Sequence, residues 1–246
     1  DADKSEFIGQ LPVVLICPED QLIIREGSRI RRKIFDHILS LTDQKYLKSL
    51  MQYNRLLRQR NEYLKSTPKH KIIFDVLLTY SRQMAPLAQF IHDSRSKLTT
   101  DFKKEFPRDY QDLSASSETC DINYTSSLLD ASFSELHEQN LEKDIILGMT
   151  NTGVHKDDWE FSINGDRIKY FGSQGQQKTF VLAVKFGLCR QLMENKKIVP
   201  LLLLDDIFDK LDPSRMQLLI SWLDNSIFEQ VIITDTDENR DRKSVV

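Results

Sequence analysis

Four consecutive leucines, Leu201-Leu202-Leu203-Leu204, run directly into two carboxylates, Asp205 and Asp206. An unbroken apolar run of this kind predicts a strand buried on both faces, as inside a parallel sheet. Its C-terminal end delivers two acids into a crevice, where open α/β sheets bind their ligands. Burying one isolated carboxylate is expensive, and two adjacent ones repel. Such a pair points to a nearby cation, commonly Mg²⁺ with a nucleotide phosphate. The plain alternative is a strand stopped by solvated acids, so the rest of the chain has to complete or undermine a site here.

With 246 residues, 40% of them hydrophobic, the chain can bury a sizeable core as one large domain or two smaller ones. No apolar run approaches the roughly 18–20 residues that span a bilayer, and no secretory signal opens the chain. Cys17, Cys120 and Cys189 lie far apart without a CxxC or a nearby His pair. Zinc and a disulfide framework are thereby disfavoured, and a reducing cytoplasm fits. Apolar neighbours predict core positions for Cys17 and Cys189. Because Asp1 is not an initiator Met and an apolar run follows almost at once, a fragment is expected.

The formal net charge is −3, yet residues 29–71 hold twelve Lys or Arg against three acids. One basic surface on an otherwise acidic body is the footprint of a polyanion partner.

Taken in order, Leu11–Cys17 reads as a buried strand ended by Pro18-Glu19-Asp20. From about Arg29 to Lys65 the apolar residues Ile30, Ile34, Ile38 and Leu41, then Tyr46, Leu50, Tyr53, Leu57 and Leu64, keep helical spacing, with a break near Thr42-Asp43. Arg55, Arg58 and Arg60 on the basic faces are candidates for DNA contact; the bland reading is a solvated helix surface. Pro68 ends the second helix. Another helix spans 72–102, with Pro86 expected to kink or split it. Residues 43–105 thus read as a helical arm inserted in a body formed by 1–42 and 106–246. Residues 106–119, with Pro107 and several serines, read as a loop. A strand is expected near Ile122–Tyr124, and a helix through Leu136, Leu141 and Ile145 that closes at Gly148.

Asn164-Gly165 between two alternating segments predicts a type I′ hairpin, pairing Trp159 with Tyr170, Glu160 with Lys169 and Phe161 with Ile168. Directly after it, Ser173 and Gln176 have capping-box spacing, so a helix should start here and run to about Glu194. Its free N–H groups, the Ser173 hydroxyl and the small Gly175 suit an anion; a mere cap and a mere turn are the bland readings. Beyond the opening strand, Asp212-Pro213 reads as N-cap and first residue of a helix, and Val231–Thr234 as a last strand.

A capped glycine-containing helix start, a strand ending in two acids, an Asp-Pro helix and another strand, in that order, resemble the second lobe of an ATP-binding-cassette ATPase head. Ser173-Gln174-Gly175-Gln176 resembles the signature motif, Leu201–Asp206 the Walker B strand, and Asp209–Asp212 the D-loop. More narrowly, Gly153-Val154-His155-Lys156-Asp157-Asp158 ahead of Ser173–Lys178 resembles the RecF family of bacterial recombination mediators. Leu11–Val14 with Pro18–Asp20, Arg31-Arg32 with Asp36, and Gln59-Arg60-Asn61 fit the same pattern. The fold so implied is α/β, an ABC-type head lobe with an inserted helical arm.

The resemblance implies ATP and Mg²⁺ as cofactors. Asp205 would hold the metal and Asp206 would orient or deprotonate the attacking water. Ser173, Gly175 and Gln176 would bind the γ-phosphate held by a second protomer, with Asp212 at the dimer seam. It further implies an ATP-dependent homodimer acting on DNA at single-strand/double-strand junctions with a RecR-like partner. The chain departs from the pattern in several places. It contains no G-x-x-x-x-G-K-[ST], so it is expected to be inactive as an ATPase alone. Position 156 is Lys and the second Walker B acid is Asp. No histidine follows the last strand; Asp235, Thr236 or Asp237 would have to replace it. Two other readings are a non-enzymatic DNA-binding module that uses the arm, and an SMC-like head of another repair ATPase.

Overall fold

The structure is a computed structural model, and it describes residues 12–114, 116–196, 199–207, 213–224, 228 and 230–234. The elements in chain order are β1 (Val13–Ile16), α1 (Leu22–Arg25), α2 (Ser28–Thr42), α3 (Gln44–Ser66), α4 (Phe74–Ser114) and β2 (Cys120–Thr125). They continue with α5 (Phe133–Gln139), α6 (Leu141–Leu147), β3 (Asp158–Ile163), β4 (Asp166–Arg167), α7 (Ile168–Phe171), α8 (Gln174–Lys196), β5 (Leu201–Asp205), α9 (Pro213–Asp224) and β6 (Val231–Thr234). The fold is α/β, as expected. None of the described helices is long and apolar enough to cross a membrane.

The chain divides into two compact units, one of Asp1–Ile30, Thr100–Ile122 and Phe161–Val246, the other of Arg31–Thr99 and Asn123–Glu160. Against the expected arm, 43–105, the second unit takes in most of α2 and the segment 123–160 and leaves 100–105 to the first. Side-chain pairing explains the shift. Arg31 makes a two-pronged ion pair with Asp158, at 2.6 and 2.9 Å. Phe35 stacks on Trp159 with ring centroids 4.2 Å apart.

In the first unit β1, β5 and β6 form a parallel sheet in the order β1-β5-β6, with Val13 opposite Leu201 and Leu202 opposite Val231. Val14, Ile16, Leu202 and Leu204 are buried, whereas Val13, Leu15 and Ile232 are exposed and Leu201 and Leu203 half-buried. The expectation of a strand buried on both faces is corrected: among the described residues only one face is fully covered. Helix α8 is buried nearly all round, with Phe180–Val184, Phe186, Leu188, Cys189 and Leu192 inside. Lys185 ties it to the end of β1, donating to the Leu15 carbonyl at 2.8 Å and pairing with Asp20 at 2.7 Å.

The expected loop from 106 is also corrected, because α4 runs on to Ser114. Phe102, Phe106, Tyr110 and Leu113 are buried at helical spacing, and Phe102, Phe106 and Tyr110 cluster with Phe180 and Phe161. That burial outweighs the one backbone donor lost at Pro107. Gly187 admits the Phe102 ring: a Cβ there would lie 2.5 Å from its edge. Cys120 and Cys189 are buried and Cys17 only half so.

In the second unit Asp43 caps α3, accepting from the Lys45 amide at 2.7 Å, at the predicted break. Pro86 does not interrupt α4; it and Arg82, one turn earlier, are exposed. The single helix expected around 136–148 is two, α5 and α6, and the second closes on left-handed Gly148 as predicted. The unit is threaded by buried ions. Arg95 pairs with Asp36 at 2.9 Å and Asp157 at 2.7 Å, and donates to the Val154 carbonyl. Burial works against its charge, but Tyr46 and Asp36 hold it well above the usual arginine value. His137 is buried and His155 half-buried, and they are pushed down to about 3 and about 4, chiefly by desolvation.

Candidate functional site

The local structure that leads into the site is a turn. Asn164 and Gly165 both take positive φ, 51° and 86°, and Ser162 pairs with Arg167 and Ile163 with Asp166, in the predicted register. The ladder stops there. The expected pairs Trp159–Tyr170, Glu160–Lys169 and Phe161–Ile168 do not form, because the chain turns at Ile168 into the single-turn helix α7. The turn is braced by one side chain: Gln177 Nε2 donates to Ile168 O at 3.2 Å, which also accepts from the Gly172 amide at 3.0 Å, and to Gly172 O at 3.1 Å. Gly172 is required by this fold-back, since a Cβ there would sit 2.7 Å from the Ile168 carbonyl oxygen.

The chain then enters α8 through the predicted capping box. Ser173 Oγ accepts from the Gln176 amide at 3.2 Å, and Gln176 Oε1 accepts from the Ser173 amide at 2.7 Å. Gly175 lies against Arg215 of α9; a Cβ at 175 would fall 1.7 Å from Nη1. Gln176 Nε2 also donates to Glu118, whose other oxygen accepts from Tyr110 and Ser116. Burial opposes the Glu118 charge, but the donors Tyr110, Gln176 and Ser116 hold its carboxyl below the usual value.

At the end of β5 the two acids differ. Asp205 is exposed and accepts from the Thr234 hydroxyl at 2.6 Å, its partner across the β5–β6 register. Asp206 takes a left-handed backbone, φ 47°, fixed by its amide donating to Thr234 O at 3.1 Å. Its Oδ1 is buried and finds no hydrogen-bond partner among the described residues. A non-glycine residue at positive φ costs roughly 1–2 kcal/mol, least for Asp or Asn. Strain and an orphaned buried oxygen on one side chain mark it as a residue kept for something other than stability.

Asp206 lines a crevice of about 440 Å³, with Ile16, Cys17, Arg25, Gln174 and Lys178. Asp206 thus shares a cavity at the carboxyl ends of β1 and β5 with Gln174 and Lys178 of α8, whereas Asp205, Ser173, Gly175 and Gln176 are not among its lining residues. Among the described residues no group of three or more His, Cys, Asp or Glu side chains forms a metal cage. The donor set suits a hard cation, which takes oxygen ligands and shares them with phosphate and water. Asp212, the D-loop and Asp235–Asp237 lie outside the described residues.

The arm candidates separate. Arg55 and Arg58 are exposed on α3. Arg60 is fully buried, paired with Asp144 at 2.7 Å and bonded to Thr150 Oγ1 at 2.7 Å, so its assignment to a DNA-contacting surface is withdrawn. Its place in the buried stripe Tyr53, Leu56, Arg60, Leu64 was the available signal. Sequence reasoning also missed Thr234, Glu118 and Arg215. Only Thr234 had a local cue, as the terminal residue of the last strand.

No protein-family model matches the chain. The DNA replication and repair protein RecF of Azobacteroides pseudotrichonymphae is 40% identical over 233 residues, 95% of this chain and 63% of the relative. The protein of the same name from Parabacteroides distasonis gives the same figures. That of Cytophaga hutchinsonii is 38% identical over 240 residues, 97% of this chain and 64% of the relative. The chain therefore spans a little under two thirds of the length of these curated relatives. Among solved structures, that of the recombination mediator protein RecF-ATPrS in the RecFOR pathway superposes with a TM-score of 0.85 at 27% identity, over 97% of this chain and 66% of that one. The corresponding RecF-ATP structure gives 0.82 at 28% identity, over 94% and 64%.

Proposed function

The chain belongs to the RecF family, and from that premise we propose that it carries one half of a shared ATP site in a DNA-binding clamp. The supporting observation is Asp206, with a left-handed backbone and a buried oxygen that has no partner among the described residues, lining a crevice at the end of β5. In this reading ATP is sandwiched between two copies of the protein. Ser173, Gly175 and Gln176 meet the γ-phosphate bound by the other copy, to which the helix start offers N–H groups. Asp212 sits at the seam.

Asp205 and the unpartnered oxygen of Asp206 are the residues suited to hold Mg²⁺ and a water. The metal, when bound, neutralises charge on the phosphates. Asp206 orients the attacking water or takes its proton, and Thr234 fixes the direction of Asp205. Little covalent work falls to the protein, since phosphoryl transfer is chiefly positioning and charge stabilisation. ATP then closes the dimer on DNA in the cytoplasm, at single-strand/double-strand junctions, and hydrolysis releases it. Arg55 and Arg58 are the arm residues assigned to the phosphate backbone, and a RecR-like protein is the proposed partner.

The chain lacks a phosphate-cradling G-x-x-x-x-G-K-[ST] loop, and the exposed face of its sheet, with Val13, Leu15 and Ile232, has room for further structure. The 246 residues alone are accordingly proposed to be inactive. A chimera tests the clamp: this chain replaces the matching part of the Parabacteroides distasonis relative. DNA affinity is then read by fluorescence anisotropy across a salt series, with and without ATP. The clamp requires ATP to tighten binding, and Arg55→Glu with Arg58→Glu to flatten the salt slope by about one for each phosphate no longer neutralised. ATP-independent affinity abolished by the arm reversals would instead make the protein a plain DNA-binding module.

A further inference from the structure

One carboxylate gathers the elements around the start of α8. Glu118 stands in the connection between α4 and β2. One of its oxygens accepts from Tyr110 at 2.7 Å, in the last turns of α4, and from Ser116 at 3.0 Å. The other accepts from Gln176 Nε2. The remaining polar atom of that same amide, Oε1, is the one that closes the capping box on the Ser173 amide. Both ends of the Gln176 side chain are therefore committed: one to the helix cap, one to Glu118. Next to it Arg215 lies over Gly175 and within electrostatic reach of Glu118 and Tyr110.

A glutamine amide left to rotate caps a helix only part of the time, and a charge-assisted bond to its NH₂ group stops the rotation. We propose that Glu118 is a positioning residue for the signature turn, locking the Gln176 amide so that Ser173, Gly175 and Gln176 are held in one geometry. Its contribution to nucleotide binding rests on the ATP reading above; the tie itself does not. Because Tyr110 reaches the same carboxylate, the tie also couples the turn to the last turns of α4. No feature near position 118 in the sequence announces this: the residue sits 55 positions ahead of the motif that it steadies.

The groups that face Glu118 are Tyr110, Ser116, Gln176, Arg215 and Cys120. Its carboxyl is held below the ordinary glutamate value of 4.5, so the tie is complete above that pH and is lost as pH falls through the lowered value. In NMR spectra of the 246-residue chain, the side-chain amide signals of Gln176 are expected to titrate in this acidic range. They lose the titration in Glu118→Gln. In Tyr110→Phe, which keeps the carboxylate and removes one donor, the midpoint moves up.

Hydrogen exchange of the amides at 174–177 in Glu118→Gln is expected to quicken by at least about tenfold, the loss of one hydrogen bond to a charged group. Amides at 181–188 should be unchanged. Gln176 signals indifferent to both substitutions, or exchange that quickens equally along all of α8, would overturn the proposal. Neither readout involves nucleotide, so failure of the clamp in the chimera would leave the tie standing, and failure of the tie would leave the clamp.

Discussion

The buried ion pairs of the arm unit and the acids at the end of β5 use the same residue types in opposite ways. In the arm unit Asp144, Asp157 and Asp158 each meet an arginine, and Arg95 spends its guanidinium on two carboxylates and a carbonyl. At the end of β5, Asp206 keeps a buried oxygen without a partner among the described residues and a strained backbone besides. A carboxylate paired with an arginine holds a fold together, even where single atoms of the pair, as Arg60 Nε and Asp157 Oδ1, find no further partner. One with no ion pair among the described residues and a strained backbone, as Asp206, is available for a ligand. The motif residues Arg31, Arg60 and Asp157-Asp158, which carry much of the family resemblance, thus belong to the architecture, whereas Ser173, Gly175 and Asp206 are the residues proposed for the site.

The sharpest way to break this contrast is to remove one partner of a buried pair. Arg60→Met leaves Asp144 charged in the interior and is expected to cost about 3–5 kcal/mol. Urea unfolding of a Trp222→Phe background, in which Trp159 alone reports on the arm unit, measures it. A loss below about 1 kcal/mol would mean that the pair is not structural.

A half-buried histidine gives the next effect. His155 is held down to about 4 in the fold but returns to the ordinary 6.5 when unfolded. The unfolded chain therefore takes up the proton first, and stability falls as pH drops from about 6.5 towards 4. Between pH 7 and pH 5 the wild type should lose about 2 kcal/mol more than His155→Gln, read by the same unfolding experiment.

At the site the expected effects on stability are smaller. Ser173→Ala removes a cap and should cost about 1 kcal/mol, seen in the thermal midpoint. Asp206→Asn keeps the shape and suits the left-handed backbone, so it should change stability by no more than about 0.5 kcal/mol. If Asp206→Asn were as damaging as Arg60→Met, the division into architecture and site would fail.

What was legible in the sequence was local. The I′ turn at Asn164-Gly165, the capping box at Ser173 and the break at Asp43 each depend on residues within a few positions of one another, and each is found in the structure. The ladder beyond Arg167 was misread because the competing turn, closed by the Gly172 amide on the Ile168 carbonyl, is braced by Gln177 from the next helix. Pro107 was misread because burial of Phe106 and Tyr110 against Phe180 overrides a local breaker. Arg60 was misread because charge was counted before its position in the buried stripe was checked. The two acids after the leucines stood out locally as candidates, but the hydroxyl that orients one of them stands on another strand.

The most direct measurement is ATP turnover, taken side by side on the 246-residue chain, on the chimera with the Parabacteroides distasonis relative, and on the chimera bearing Asp206→Asn. The account predicts no turnover above background from the chain alone, measurable hydrolysis by the chimera, and its loss with Asp206→Asn. Robust hydrolysis by the chain alone, abolished by Asp206→Asn, would contradict it, because a complete site would then lie within these residues.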